Sequence, residues 1–212
     1  MNQITLGGLS AAEPAEKTNQ RAQAKQRTRD KVLAAAKALF AERGYEGSTI
    51  RDIAKAAGMS TGAVFASFTD KSDLFTEIAE AEQSDLYQTM RAASAGLAGH
   101  AAIIAMLEAA TRRQTISIAV LNAVMSALWT PGVAERARRR LERRPVSALI
   151  AVAVRQEFDG VEGVDATFVA EMIWDAYLAI LRRAALGGLT AAAAEARMVL
   201  GVRTILAGAR PG

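Results

Sequence analysis

Gly58 stands between two short, capped helical patterns, and that arrangement constrains this chain more than any other feature. In the stretch 40–75, FAERGYEGSTIRDIAKAAGMSTGAVFASFTDKSDLF, Ser48 and Thr49 are N-cap candidates. Their side-chain oxygens can accept from the free backbone N–H groups of the next turn. Ile50, Ile53, Ala54 and Ala57 then recur at spacings of three and four, on one face of a short helix. Gly58 follows where a reversing helix needs positive φ, which glycine adopts without strain. Met59 is apolar and can plug the corner. Ser60 or Thr61 caps a second short helix that contains Gly62, Ala63, Val64 and Phe65. Small Ala54 permits close approach, and Val64 can pack back on Ile53. The pattern predicts a helix-turn-helix, a device that presents a short helix to the major groove of DNA; a plain structural αα-hairpin is the alternative.

The flanking sequence supplies a support for such a motif. Val32, Leu33, Ala36, Leu39 and Phe40 form the apolar stripe of a first helix over 26–43, closed by Arg43-Gly44. A long helix over 71–93 carries Leu74, Phe75, Ile78, Leu86 and Met90, and runs from the motif into a second domain. Further helices are expected over 101–113, 115–129, 132–143, 145–158, 165–186 and 190–207. They are separated by Pro131-Gly132, Pro145, Asp159-Gly160, Gly163 and Gly187-Gly188. With 212 residues, 51% of them hydrophobic, and only four prolines, the chain fits an all-α fold. It divides into a flexible basic arm (1–25), a three-helix helix-turn-helix DNA-binding domain (26–72), and a helical ligand-binding and dimerisation domain (73–212).

The 27–75 region closely resembles the N-terminal domain of the TetR (tetracycline-repressor-like) family of bacterial transcription regulators. The resemblance rests on Arg29, Val32-Leu33, Ala35-Ala36, Leu39-Phe40, Gly44-Tyr45, Thr49, Ile53-Ala54, Ala57-Gly58-Met59-Ser60, Gly62-Ala63-Val64-Phe65, Phe68 and Lys71-Ser72-Asp73-Leu74-Phe75. Beyond residue 75 only length and helical character are shared. The resemblance implies that Thr49, Ser60, the Thr61-Gly62-Ala63 edge and Phe65 face DNA, and that Lys71 touches a phosphate. Two positions depart from the family. Phe65 stands where Tyr is usual, which removes a hydroxyl contact to phosphate, and Ser67 stands where His or Tyr is common.

Charge is concentrated beside the motif. From Lys17 to Lys31 there are six basic residues (Lys17, Arg21, Lys25, Arg27, Arg29, Lys31) against one acid, Asp30. Such a run suits phosphate contacts, which supply much of DNA affinity and its salt dependence. Arg27 and Arg29 therefore join the candidate DNA-binding residues. Lys17, Arg21, Lys25 and Arg29 recur every four residues, so the arm can extend the first helix when DNA is present. A solvated tail is the bland alternative.

The second domain carries weaker signals. Met106, Asn122, Met125, Trp129, Trp174 and Tyr177 are candidates to line a pocket for an apolar or aromatic effector. Phe168, Val169, Met172, Ile173, Tyr177, Ile180 and Leu181 on one helix form one apolar face. Met198, Val199, Val202, Ile205 and Leu206 on the next form another. Together they suggest a four-helix homodimer interface, with burial inside the monomer as the rival. The resemblance implies the same dimer. Arg136, Arg138, Arg139, Arg140, Arg143 and Arg144 crowd one short helix, read as a solvated face, with an anion or nucleic-acid contact as the alternative. His100 is read as a loop or cap residue rather than a ligand or base, and Arg112-Arg113-Gln114 as exposed loop, with contact to a polar ligand group as the alternative.

Other classes are disfavoured. The absence of cysteine removes disulfides and thiolate chemistry, and one histidine makes a histidine-based metal site unpromising. Glu171 and Asp175, four apart, mimic paired acids without any supporting group. No cofactor is called for. The N-terminus lacks a basic region followed by a long apolar run, so no signal peptide is expected, and no span is expected to cross a membrane. The expectation is a cytoplasmic homodimer that binds a double-stranded, palindromic operator and releases it on binding a small effector. A helical adaptor that uses the motif for protein contacts is the alternative.

Overall fold

The computed structural model describes residues 13–114 and 145–210, and every regular element among them is a helix. In chain order these are α1 (Glu13–Arg43), α2 (Ile50–Ala56), α3 (Thr61–Phe65), α4 (Lys71–Ala93), α5 (Gly99–Gln114), α6 (Pro145–Glu157), α7 (Ala166–Ala185) and α8 (Ala191–Gly208). The starts are set by local chemistry. Thr49, Ser60, Asp70, Asp165 and Thr190 each place a side-chain oxygen on a free N–H of the following turn. Pro145 opens α6, where its missing N–H costs nothing. The helices expected over 115–129 and 132–143, and the arginine cluster 136–144, lie outside the described residues.

Two separate apolar cores divide the described residues. The first, here called the head, gathers Val32, Ala36, Leu39 and Phe40 of α1, Ile53 and Ala54 of α2, Val64 of α3, Phe68, and Leu74, Phe75, Ile78 and Ala79 of α4. Tyr45 completes an aromatic triad with Phe40 and Phe75, at centroid separations of 5.5 Å and 5.1 Å. Such tilted and edge-on pairs add to the burial they already provide. The second core, the body, takes Leu86 and Met90 from α4 and packs them with α5, α6, α7 and α8.

Between the cores, α4 is mostly polar over 80–85, and none of these residues is buried. Glu82 lies there, paired with Lys37 of α1 and, at 3.2 Å, with Arg113 of α5. Arg113 also reaches Asp85 at 3.4 Å. Burial alone would raise the Glu82 carboxyl. The hydrogen bond and charge of Lys37, with Arg113, outweigh that and hold it below the usual carboxylate range. Arg113, expected on an exposed loop, is thus part of the joint between head and body.

Three further expectations are corrected. First, α1 begins at Glu13, not near 26. After Pro14 the sequence has no glycine or proline before Gly44 and is rich in Ala, Glu, Gln, Lys and Arg, all strong helix formers. Second, Ser48 is not a cap. It is buried, and its hydroxyl lies 2.9 Å from Gly44 O, while Thr49 caps α2. Third, the apolar faces of the last two helices divide differently. Val169, Ile173, Tyr177 and Leu181 of α7 and Met198, Val202 and Leu206 of α8 are buried within this one chain. The faces that remain outward carry Phe168 and Met172 on α7 and Leu200 on α8. Each helix is apolar over more than one stripe, so periodicity alone did not separate inner from outer.

Candidate nucleic-acid interface

The turn at the centre of the head forms as its sequence predicts. Ala57 ends α2 with its N–H on Ile53 O at 2.9 Å, and Gly58 adopts φ +67°. Met59 N–H then returns to Ala54 O at 2.9 Å, which closes the reversal, and Met59 packs against the head core. Two capping groups fix the helices on either side. Thr49 and Asp52 form a reciprocal capping box: Asp52 N–H donates to Thr49 Oγ1 at 3.2 Å, and Thr49 N–H to Asp52 Oδ2 at 3.2 Å. These bonds to Thr49 hold the Asp52 carboxyl below its ordinary value. Ser60 Oγ accepts from Ala63 N–H at 3.2 Å.

The outer face of α3 is left bare. Thr61, Gly62 and Phe65 are exposed, with Phe65 at 55%, an unusual setting for a large ring on a five-residue helix. Thr49, Ser60 and Arg27 are exposed as well, whereas Ala63 and Ser67 are half-buried. Gly62 has no positive φ, and a Cβ built on it would meet only Ser60 Oγ, at 3.8 Å. Neither the fold nor the backbone requires glycine there.

The two cations expected to meet phosphate are engaged inside the head. Arg29 donates through Nε to Glu77 at 3.0 Å and through Nη1 to Ser67 O at 2.6 Å, and its guanidinium lies 4.2 Å from the Phe68 ring centroid. It ties α1 to α4 and to the segment that leaves α3. Lys71 donates to Tyr45 O at 2.9 Å and Ser48 O at 3.1 Å, with Nζ 4.1 Å over the Tyr45 ring. Two of its three N–H groups therefore bind the loop before α2 to the start of α4. Burial, with the nearby charges of Glu46 and Asp70, pushes the Tyr45 phenol up to about 12, so the ring stays neutral beneath the lysine. Glu77 and Phe68, the partners of Arg29, were not singled out from sequence as its partners. Glu77 lies 48 residues away, beyond any local spacing rule.

In the body, Met106 and Tyr177 are buried in one core and Trp174 packs on Tyr177 with ring centroids 5.2 Å apart. Tyr177 Oη lies 3.4 Å from Thr111 Oγ1, and burial drives its phenol well above the ordinary range. Asn122, Met125 and Trp129 lie outside the described residues. An open groove of about 480 Å³ runs along the outer side of α8 between Ala192, Ala196, Val199, Leu200 and Arg203, away from Met106, Trp174 and Tyr177.

Residues 32–78, the head from its first buried valine onward, match the model of bacterial regulatory proteins of the tetR family. The head is thus similar to the DNA-binding part of TetR-family regulators. The HTH-type transcriptional regulator AcrR of Shigella flexneri is 44% identical over 72 residues, which cover 34% of this chain and 32% of AcrR. The match thus spans about a third of that relative's length. The fold likeness is wider. The fatty acid degradation regulator FadR of Bacillus halodurans superposes with a TM-score of 0.70 at 16% identity, covering 87% of this chain and 97% of FadR. FadR of Bacillus subtilis, solved in complex with stearoyl-CoA, superposes with a TM-score of 0.68 at 15% identity, over 84% and 97%. The all-α, two-part architecture is therefore shared with these two solved regulators.

Proposed function

We propose that this chain is an effector-responsive transcriptional repressor of the TetR family that binds a palindromic operator as a homodimer in the cytoplasm. The observation that carries the reading is the bare outer face of α3. A capped, rigidly held helix presents Thr61, Gly62 and Phe65 outward, with a glycine where only an incoming partner would notice a side chain. Close approach of a groove wall or phosphate is a use for that glycine. Thr49, Ser60, Ala63 and Ser67 frame the same face. Arg27 and the third N–H of Lys71 are the nearest donors for phosphate, and Arg29 acts by fixing α1 against Ser67 and Glu77. Without a hydroxyl, Phe65 contributes apolar contact, for example to a thymine methyl.

Dimerisation is assigned to the outward faces of α7 and α8, where Phe168, Met172 and Leu200 stay exposed in the single chain. A two-fold dimer would set two α3 helices in successive major grooves, about 34–36 Å apart. The effector is assigned to the body, among Met106, Trp174 and Tyr177, with Asn122, Met125 and Trp129. The apolar cast of these residues suits an apolar or aromatic molecule, and one neighbour of this fold holds a long acyl thioester. Its effect is limited to its differential affinity for the two dimer states.

The test is footprinting of the DNA upstream of the gene's own neighbourhood with the full-length protein. A protected, two-fold symmetric site, with dimer mass by light scattering, is expected. Absence of any protected site with a well-folded dimer would favour the adaptor reading instead.

A further inference from the structure

The first buried residue of α1 is Val32, yet the helix begins at Glu13. Residues 19–27 are all exposed, so more than two turns of α1 stand clear of the head. The direction of this free helix is set by Arg29. Its Nη1 donates to Ser67 O, two residues past the end of α3, so that side of α1 abuts the C-terminal end of the DNA-facing helix. Lys25 and Arg21 continue the same side at i−4 and i−8, about 6 and 12 Å further out along the helix. Neither forms an ion pair with a described residue. A helical, cationic rail thus extends the α3 surface outward, anchored at its base by the Arg29–Glu77 pair and the Phe68 ring.

We infer that this N-terminal extension of α1 is a second DNA-contacting surface, in which Lys25 and Arg21 bind the phosphates that flank the groove read by α3. Two features select duplex DNA as the occupant: the rail is continuous with the proposed reading face, and its charge complements a phosphate backbone. The inference rests on the DNA-binding reading of α3 and adds to it a contact that carries no base information. Phosphate contacts fix register and orientation on the duplex without reading its sequence. Arg29 is the positioning residue of the device, because it aims the rail without needing to touch DNA.

The experiment uses the full-length protein and a duplex that the protein itself selects from a random-sequence library. Affinity is measured against salt for the wild type, for Arg21→Gln/Lys25→Gln, and for Arg155→Gln, a loss of exposed charge on α6 of the body. The double variant should keep the selected base preference. Its log–log salt slope should fall by about 1.8 per protomer, two contacts at about 0.9 each. Arg155→Gln should leave the slope as in the wild type. On a duplex trimmed of its flanking base pairs, the wild type and the double variant should converge. An unchanged slope in the double variant, or a deficit that persists undiminished on the trimmed duplex, would overturn the rail while leaving DNA reading by α3 intact. Failure of the wild-type protein to select any duplex would overturn both.

Discussion

In the head, three short-range caps, Thr49 with Asp52, Ser60 with Ala63 and Asp70 with Asp73, are backed by two cations, Arg29 and Lys71, that reach groups distant in sequence. In the body, the helices are joined by contacts between residues far apart, such as Thr111 beside Tyr177 and His100 N–H on Glu157 Oε2 at 2.8 Å. The contrast teaches where each region can tolerate change. The head holds its bare face by a few specific polar contacts, so a single altered turn disturbs the reading surface. The body spreads its stability over broad helix faces. A change there matters according to which side of a helix it falls on.

The largest effect expected is at Val202, which is 3% exposed in the body core. Val202→Asp would bury an unpaired charge, at a cost of several kcal/mol. The body should lose its cooperative melting, seen by circular dichroism. Two residues away, Leu200 is 64% exposed. Leu200→Asp should leave the chain folded and, as part of the proposed dimer face, halve the mass read by light scattering. A folded, dimeric Val202→Asp protein would break the division of α8 into inner and outer faces.

Next is Gly58→Val. No atom lies within 4 Å of a Cβ there, so the penalty comes only from φ +67°. A strained β-branched residue costs roughly 1–3 kcal/mol. Operator binding should be lost in a gel-shift assay while the dimer survives. Normal binding by this variant would show that the turn does not set the reading face.

Gly62→Ala should separate fold from function in the head. A glycine-to-alanine change inside a helix gains up to about 1 kcal/mol, so the melting temperature should hold or rise. Operator affinity should fall by about tenfold, the equivalent of ~1.4 kcal/mol. Unaltered affinity would mean that nothing approaches Gly62 closely.

The smallest effect belongs to the joint between the regions. The Glu82 carboxyl is held below its ordinary value, so its contribution to stability is present above the unfolded value and fades as pH falls through the folded one. Glu82→Gln should cost about 1 kcal/mol or less near neutral pH, and should flatten the acid limb of the thermal stability profile. An acid limb identical to that of the wild type would remove the Lys37–Glu82–Arg113 link from the account.

Legibility followed the same division. The turn at Gly58, the bounds of α4 and the α1 stripe could be read directly, because caps, positive-φ glycine and three-four spacing act within a few residues. The aims of Arg29 and Lys71 could not, since Glu77, Ser67 and the Tyr45 and Ser48 carbonyls are brought to them only by folding. Nor could the inner face of α8 be told from the outer. Val199, Leu200 and Val202 are all apolar, and only the position of α7 decides which is covered. The exposed length of α1 was partly legible: its four-residue cationic repeat suggested a helix, while the small polar residues before it suggested a tail.

The polar interval in α4 also has a geometric consequence. An α-helix is stiff along its axis, and Lys71 lies about 16 Å from Glu82 at a rise of 1.5 Å per residue. At Glu82 the helix is held to α1 and α5 by ion pairs, between the two apolar cores. A rotation of about 10° would carry the start of α4 sideways by about 3 Å, close to the 3.4 Å step between successive nucleotides of one strand. In a two-fold pair the displacement doubles, so a change of angle too small to repack either core is large enough to put two reading helices out of step with their grooves.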